Sequence, residues 1–117
     1  MAAKQKILIV DDDDMTIMCI KNFCKGKDIT LDVASNGNEA IGKSKSSTYN
    51  MTLIDLNLDD IKGDEVLKSI KSAGGSVGKA VLMSGEDKSG EFAGLGFDVF
   101  AKKPVNKAKF EELIAGL

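Results

Sequence analysis

Asp55 ends the apolar run Met51-Thr52-Leu53-Ile54, and Asp11 and Asp12 end the run Ile7-Leu8-Ile9-Val10. Ser84 ends a third run, Ala80-Val81-Leu82-Met83, and Lys103 and Pro104 follow a fourth, Phe97 to Ala101. Three carboxylates brought together repel one another and bind protons more tightly unless a cation intervenes. The chain has no histidine, and no cysteine lies in these motifs, so oxygen ligands select a hard ion. Mg²⁺ fits best, because it keeps several waters and pairs one or two carboxylates with a phosphate oxygen. Mn²⁺ is the natural substitute. Lys103 would add a point positive charge and Ser84 a hydroxyl donor. A carboxylate set among metal, ammonium and hydroxyl is equipped to take a phosphoryl group as a nucleophile. Asp55 is the candidate acceptor.

These residues need elements that bring them together. Short apolar runs alternate with amphipathic segments five times along the chain. The unbroken runs before Asp11, Asp55 and Ser84 suit strands buried on both faces. Residues 29–34 alternate as a half-buried strand, and Phe97 to Ala101 supply the fifth. Helices are expected over 14–25, with Thr16, Cys19, Ile20, Phe23 and Cys24 at helical spacing, then over 39–46 and 64–72. A last helix runs from about Asn106, with Phe110, Leu113 and Ile114 inward. The segment from Asp87 to Leu95 is interrupted by Gly90 and Gly94 and closed by Gly96, so its helix should be short or frayed. Alternating strands and helices argue for an α/β fold, a doubly wound five-stranded parallel sheet with helices on both faces. Ligands of such sheets bind outside the carboxyl ends of the strands, where these polar residues lie.

The 117 residues allow one domain, spanning 1–117. A hydrophobic share of 43% and a charged share of 29% are those of an ordinary globular chain. Net charge is -2 and every basic residue is lysine, which argues against direct nucleic-acid binding. No run is long enough for membrane insertion. Two cysteines, Cys19 and Cys24, do not make a disulfide framework, and a reduced cytoplasmic setting is the simplest expectation.

The set Val10-Asp11-Asp12, Leu53-Ile54-Asp55-Leu56-Asn57-Leu58 with Gly63, Leu82-Met83-Ser84, and Phe100-Ala101-Lys102-Lys103-Pro104 resembles the receiver domain of two-component response regulators. The resemblance covers essentially the whole chain. Four such motifs in order, each at a strand end, are highly specific. It implies a flavodoxin-like (βα)5 fold with strand order 2-1-3-4-5. It also implies that Asp55 accepts phosphate from a histidine kinase or a histidine phosphotransfer protein. Asp12 would bind Mg²⁺ directly, Asp11 mainly through water, and the Asn57 backbone carbonyl would be a further ligand. Lys103 would pair with the phosphoryl group, and Pro104 would follow a cis peptide bond. Ser84 would swing toward the phosphoryl oxygens and Phe100 would turn into the space it leaves. Asn57 and Glu86 fall where receivers tune hydrolysis, and small Gly85 should leave the phosphoryl group accessible. Such a domain is a phosphoacceptor that phosphorylates and dephosphorylates itself, not an enzyme, and it signals to a downstream protein through contacts.

Other readings fare less well. Asp11 to Asp14 could form a helix cap, which suits Asp13 and Asp14 better than Asp11 and Asp12. A calcium loop starting at Asp55 fails, since its sixth position is Asp60 rather than Gly and its twelfth is Val66 rather than Glu. A Mg²⁺-dependent phosphatase with an Asp phosphoenzyme would want a second Asp where Asn57 stands. A flavodoxin-like binding module would want a phosphate loop where four aspartates stand. Asp59 replaces the proline common in receivers, which should loosen the loop without touching the chemistry, and Asp59-Asp60 reads as a solvated turn. Met15 and Met18 should stay partly exposed, because Thr16, Ile20 and Phe23 supply the inward face. A flexible methionine surface beside Asp55 would suit docking of a kinase helix pair. The weakened segment before Phe100 lies on the face that receivers commonly use for output or dimerisation, so the usual dimer is not expected. The domain would be stand-alone or cut from a longer regulator, and no helix-turn-helix is expected after Leu117.

Overall fold

Each unbroken apolar run forms a strand because both of its faces are covered. In β1 (Gln5–Val10), Leu8 and Val10 enter one core layer while Ile7 and Ile9 enter the other. The same period of two divides β3 (Met51–Asp55) and β4 (Lys79–Ser84), where Ile54 and Leu82 face one side and Leu53, Val81 and Met83 the other. The computed structural model describes residues 4–117. With β2 (Ile29–Ala34) and β5 (Val99–Lys102) the sheet has five parallel strands in the order β2-β1-β3-β4-β5. The order expected from the resemblance is therefore observed.

Helices α1 (Asp14–Cys24) and α4 (Lys107–Ile114) pack together on one face, and α2 (Gly37–Ser46) and α3 (Gly63–Ser72) on the other. Side chains set the starts of α1, α2 and α4. Asp13 accepts from the Met15 N–H and from the Thr16 hydroxyl, Asn36 from the Glu39 N–H, and Asn106 from the Lys109 N–H. Capping by Asn36 lets α2 begin at Gly37, two residues before its expected start. Among the described residues no helix is long and apolar enough to cross a membrane.

Two expectations fail. From Asp87 to Leu95 the chain forms isolated turns rather than a helix, closed by Phe92 N–H to the Lys88 carbonyl and Leu95 N–H to the Glu91 carbonyl. Gly90 and Gly94 each raise the entropic cost of helix, and Gly96 adopts φ +94°, which ends any helical path. Phe97 then bonds back to the Phe92 carbonyl, so β5 starts at Val99 rather than at Phe97. Cys19 is exposed, while Ile20 and Cys24 fill the inward stripe of α1.

Candidate functional site

Parallel register carries the polar residues to one edge. Val10 pairs with Ile54, so Asp11 emerges beside Asp55. Asp55 pairs with Met83 and Ser84 with Lys102, which brings Ser84 and Lys103 to the same edge. The Lys103 N–H donates to the Ser84 carbonyl at 2.8 Å, and the Lys103–Pro104 bond is cis. Asp11, Asp12 and Asp55 each present a carboxylate oxygen, and these oxygens lie within 4.8 Å of one another. The Lys103 ammonium stands 2.8 Å from Asp11 Oδ2 and 3.5 Å from Asp55 Oδ2. Gly63 permits this assembly on the loop side, since a Cβ there would run into the Asp55 carbonyl oxygen.

Electrostatics follow from burial. Asp55 is 7% exposed, and desolvation together with Asp11 pushes its pKa up to about 6 against the pull of Lys103. The Asn57 N–H, bonded to the Asp55 carboxyl, and then Asp12, lowering and raising in turn, are smaller influences. Asp12 is raised too, by desolvation and then by the carboxyl of Asp59. Burial would depress the Lys103 pKa, but its contacts with Asp11, and then Asp55 and Asp13, outweigh burial and raise it. Asp11 is fully buried. Its Oδ1 accepts the Asp13 N–H at 2.9 Å, while Oδ2 has the ion-pair contact but no hydrogen bond of good geometry.

Three hard oxygen donors and only one ammonium against three carboxylates suit a divalent cation. Asp11, Asp12 and Asp55 are the residues that would hold it. The family model of the response regulator receiver domain matches residues 7–115. The chain belongs to this family. It is a phosphoacceptor switch of two-component signalling rather than a classical enzyme, and receiver domains interact with histidine kinases.

Relatives agree with this. The chain is 30% identical over 112 residues to the cell cycle response regulator CtrA of Brucella ovis, covering 94% of this chain and 47% of that protein. A CheY-like receiver domain protein from Methanospirillum hungatei superposes with a TM-score of 0.83 at 28% identity, covering 97% of this chain and 93% of that one. A two-component response regulator from Clostridium difficile gives 0.81 at 29% identity, covering 95% and 96%. The chain spans less than half the length of the curated relatives it matches first.

The remaining candidates of this receiver spread outward from the triad. Ser84 is buried, and its Oγ accepts the Glu86 N–H at 3.1 Å. Phe100 is half-buried against the α2/α3 core layer. Asn57 is exposed, and the Glu86 carboxylate reaches Lys88 at 3.6 Å. Gly85 has open space around it. Met15 and Met18 are 68% and 58% exposed, as the inward face of α1 predicted. Met15 and Cys19 line a cavity of about 130 Å³ with Asp13, Thr16, Ile20, Pro104 and Val105.

Asp59 and Asp60 correct the sequence reading. The loop is bonded rather than merely solvated: Asn57 and Lys62 form an antiparallel bridge, Leu58 is buried, and Asp60 accepts the Gly37 and Asn38 N–H groups at 2.9 and 3.0 Å. Asp60 thereby closes the α2 N-terminus. Its partners lie over twenty residues away, so no local signal announces this bond. Asp59, carried between Leu58 and Asp60, meets the Asp12 carboxyl.

Proposed function

We propose that Asp55 accepts a phosphoryl group from a histidine kinase or a histidine phosphotransfer protein in a Mg²⁺-dependent reaction. The reading is carried by one observation: a buried carboxylate at the end of β3, beside two further carboxylates and 3.5 Å from the Lys103 ammonium. Bound Mg²⁺ would supply charge neutralisation for the phosphoryl oxygens. An Asp55 oxygen attacks phosphorus, the bond from phosphorus to the donor imidazole nitrogen breaks, and its electron pair stays on that nitrogen. The product is an acyl phosphate on Asp55 and a histidine free of its phosphoryl group. Lys103 moves from Asp11 and Asp55 toward the new oxygens, and Ser84 exchanges its bond with the Glu86 N–H for one to phosphate.

The pull on Ser84 frees volume that half-buried Phe100 turns into, so a local charge biases a packing equilibrium. Asn57 and Glu86 tune hydrolysis, and the exposed surroundings of both support a short-lived phosphorylated state. Met15, which lines the cavity at Pro104 and Val105, and exposed Met18 supply an adaptable apolar surface for the kinase or phosphotransfer helix pair. Residues 1–117 would act as a single receiver domain in the cytoplasm, signalling to a downstream protein by contact.

The test compares wild type with Asp55→Asn after incubation with Mg²⁺ and a small phosphodonor. Intact mass should show one phosphoryl addition in wild type and none in the variant, and beryllofluoride should shift amide resonances near Ser84 and Phe100. Wild type without adduct or shift refutes the reading. Met15→Ala and Met18→Ala should slow transfer from the kinase while leaving the small donor's rate unchanged.

A further inference from the structure

Lys88 stands between two carboxylates on the stretch that leaves the site after Ser84. Its ammonium lies 3.6 Å from Glu86 Oε2 and 3.5 Å from Glu91 Oε2. The Lys88 side chain is only 20% exposed, against 76% and 61% for those of Glu86 and Glu91. Backbone bonds fix it as well. The Lys88 carbonyl accepts the Glu91 and Phe92 N–H groups at 3.0 Å each, and Asp87 Oδ1 accepts the Ser89 N–H at 2.9 Å. Glu86 is tied at both ends: its N–H donates to Ser84 Oγ at the site, while its carboxylate is drawn along the turns toward Lys88. The space around Gly85 is open, which leaves room for water at this rim.

We propose that Lys88 is a positioning residue for loss of the phosphoryl group: by holding the Glu86 carboxylate, it keeps that group from orienting the attacking water and so lengthens the phosphorylated state. The inference rests on the reading of Asp55 as phosphoacceptor and of Glu86 as a group that tunes hydrolysis. In hydrolysis a water oxygen attacks phosphorus, and the bond from phosphorus to the Asp55 oxygen breaks. Its electron pair returns to the Asp55 carboxylate, and both water hydrogens leave on inorganic phosphate. A free carboxylate at the rim accepts a hydrogen bond from that water and aims its oxygen. A carboxylate paired with Lys88 does so less often. Glu91 competes for the same ammonium and weakens the hold on Glu86. Because both glutamates are exposed, each pair is weak and screened by salt.

The test loads the full chain with a small phosphodonor and Mg²⁺, removes the donor, and follows decay of the acyl phosphate by intact mass of quenched samples. Lys88→Gln should decay about two- to fivefold faster than wild type, and Lys88→Arg at close to the wild-type rate. Glu91→Gln, which leaves Lys88 to Glu86 alone, should decay more slowly. In a Glu86→Gln background, Lys88→Gln should change nothing further. Lys109→Gln, an equal charge change on α4, should leave the rate as it is in wild type. Unchanged or slower decay in Lys88→Gln overturns the inference, as does an acceleration that persists without the Glu86 carboxylate or that Lys88→Arg does not repair. Wild type that takes up no phosphoryl group overturns the reading of Asp55 itself, and this inference with it.

Discussion

At the scale of single residues, the site is a balance between buried like charges and one ammonium. Asp11 is fully buried and depends on Lys103 at 2.8 Å, so Lys103→Met leaves a carboxylate without its counter-charge. In chelator, urea unfolding should show a loss of roughly 2–4 kcal/mol, below the range for a fully enclosed pair because this edge is open to water. Saturating Mg²⁺ should return part of that stability. The pH dependence has the opposite sign to that of a paired carboxylate. Asp55, at about 6 in the fold, binds protons more tightly than it does unfolded. The Asp55 contribution in ion-free protein should therefore be fully present below the ordinary Asp range and be lost as pH rises through about 6. The loss should not exceed about 3 kcal/mol, and Asp55→Asn should flatten the profile. Chemical denaturation across that window measures both effects.

At the scale of elements, the β3–α3 connection decides how Asp55 is presented. Gly63 lets α3 start directly over the Asp55 carbonyl. Gly63→Ala must displace backbone at the end of β3, and should cost about 1–3 kcal/mol and slow phosphoryl uptake from a small donor. Asp60 closes the α2 N-terminus and is held below the ordinary carboxylate range by the Gly37 and Asn38 N–H groups. Its contribution is present above the unfolded pKa and disappears as pH falls through the lowered value. Asp60→Ala should lower the melting temperature at neutral pH and show little deficit in strong acid. The strands and most helices are legible in the sequence, because apolar runs and helical spacing are local patterns. The Asp60 clamp was not, because its donors, the Gly37 and Asn38 N–H groups, are brought to it only by the packing of α2 beside α3.

At the scale of the whole molecule, sheet order unites four distant motifs, while the stretch between β4 and β5 departs from the repeating pattern. Gly90 has negative φ and open space, so Gly90→Ala should stabilise by about 0.4–1 kcal/mol, mainly by restricting the unfolded chain. Gly96 lies at φ +94°, and Gly96→Ala should destabilise by about 1 kcal/mol or more. Denaturation of the two variants distinguishes these opposite signs. Amides of 86–95 should also exchange faster than those of α3, since isolated turns open without unfolding the core.

What the amino-acid order determined by itself is the kind of chemistry and where on each strand it would sit. Asp11, Asp12, Asp55, Ser84 and Lys103 each follow an apolar run, and a parallel sheet must gather such ends on one edge. Cys19 shows the limit of spacing: a helix face is inward only if a neighbour covers it, and α1 is covered along Ile20 and Cys24 instead. Asp60 shows the same limit beside the site. In sequence it is one acid of a solvated pair, and only the packing of α2 against the β3–α3 loop brings the Gly37 and Asn38 N–H groups to its carboxylate.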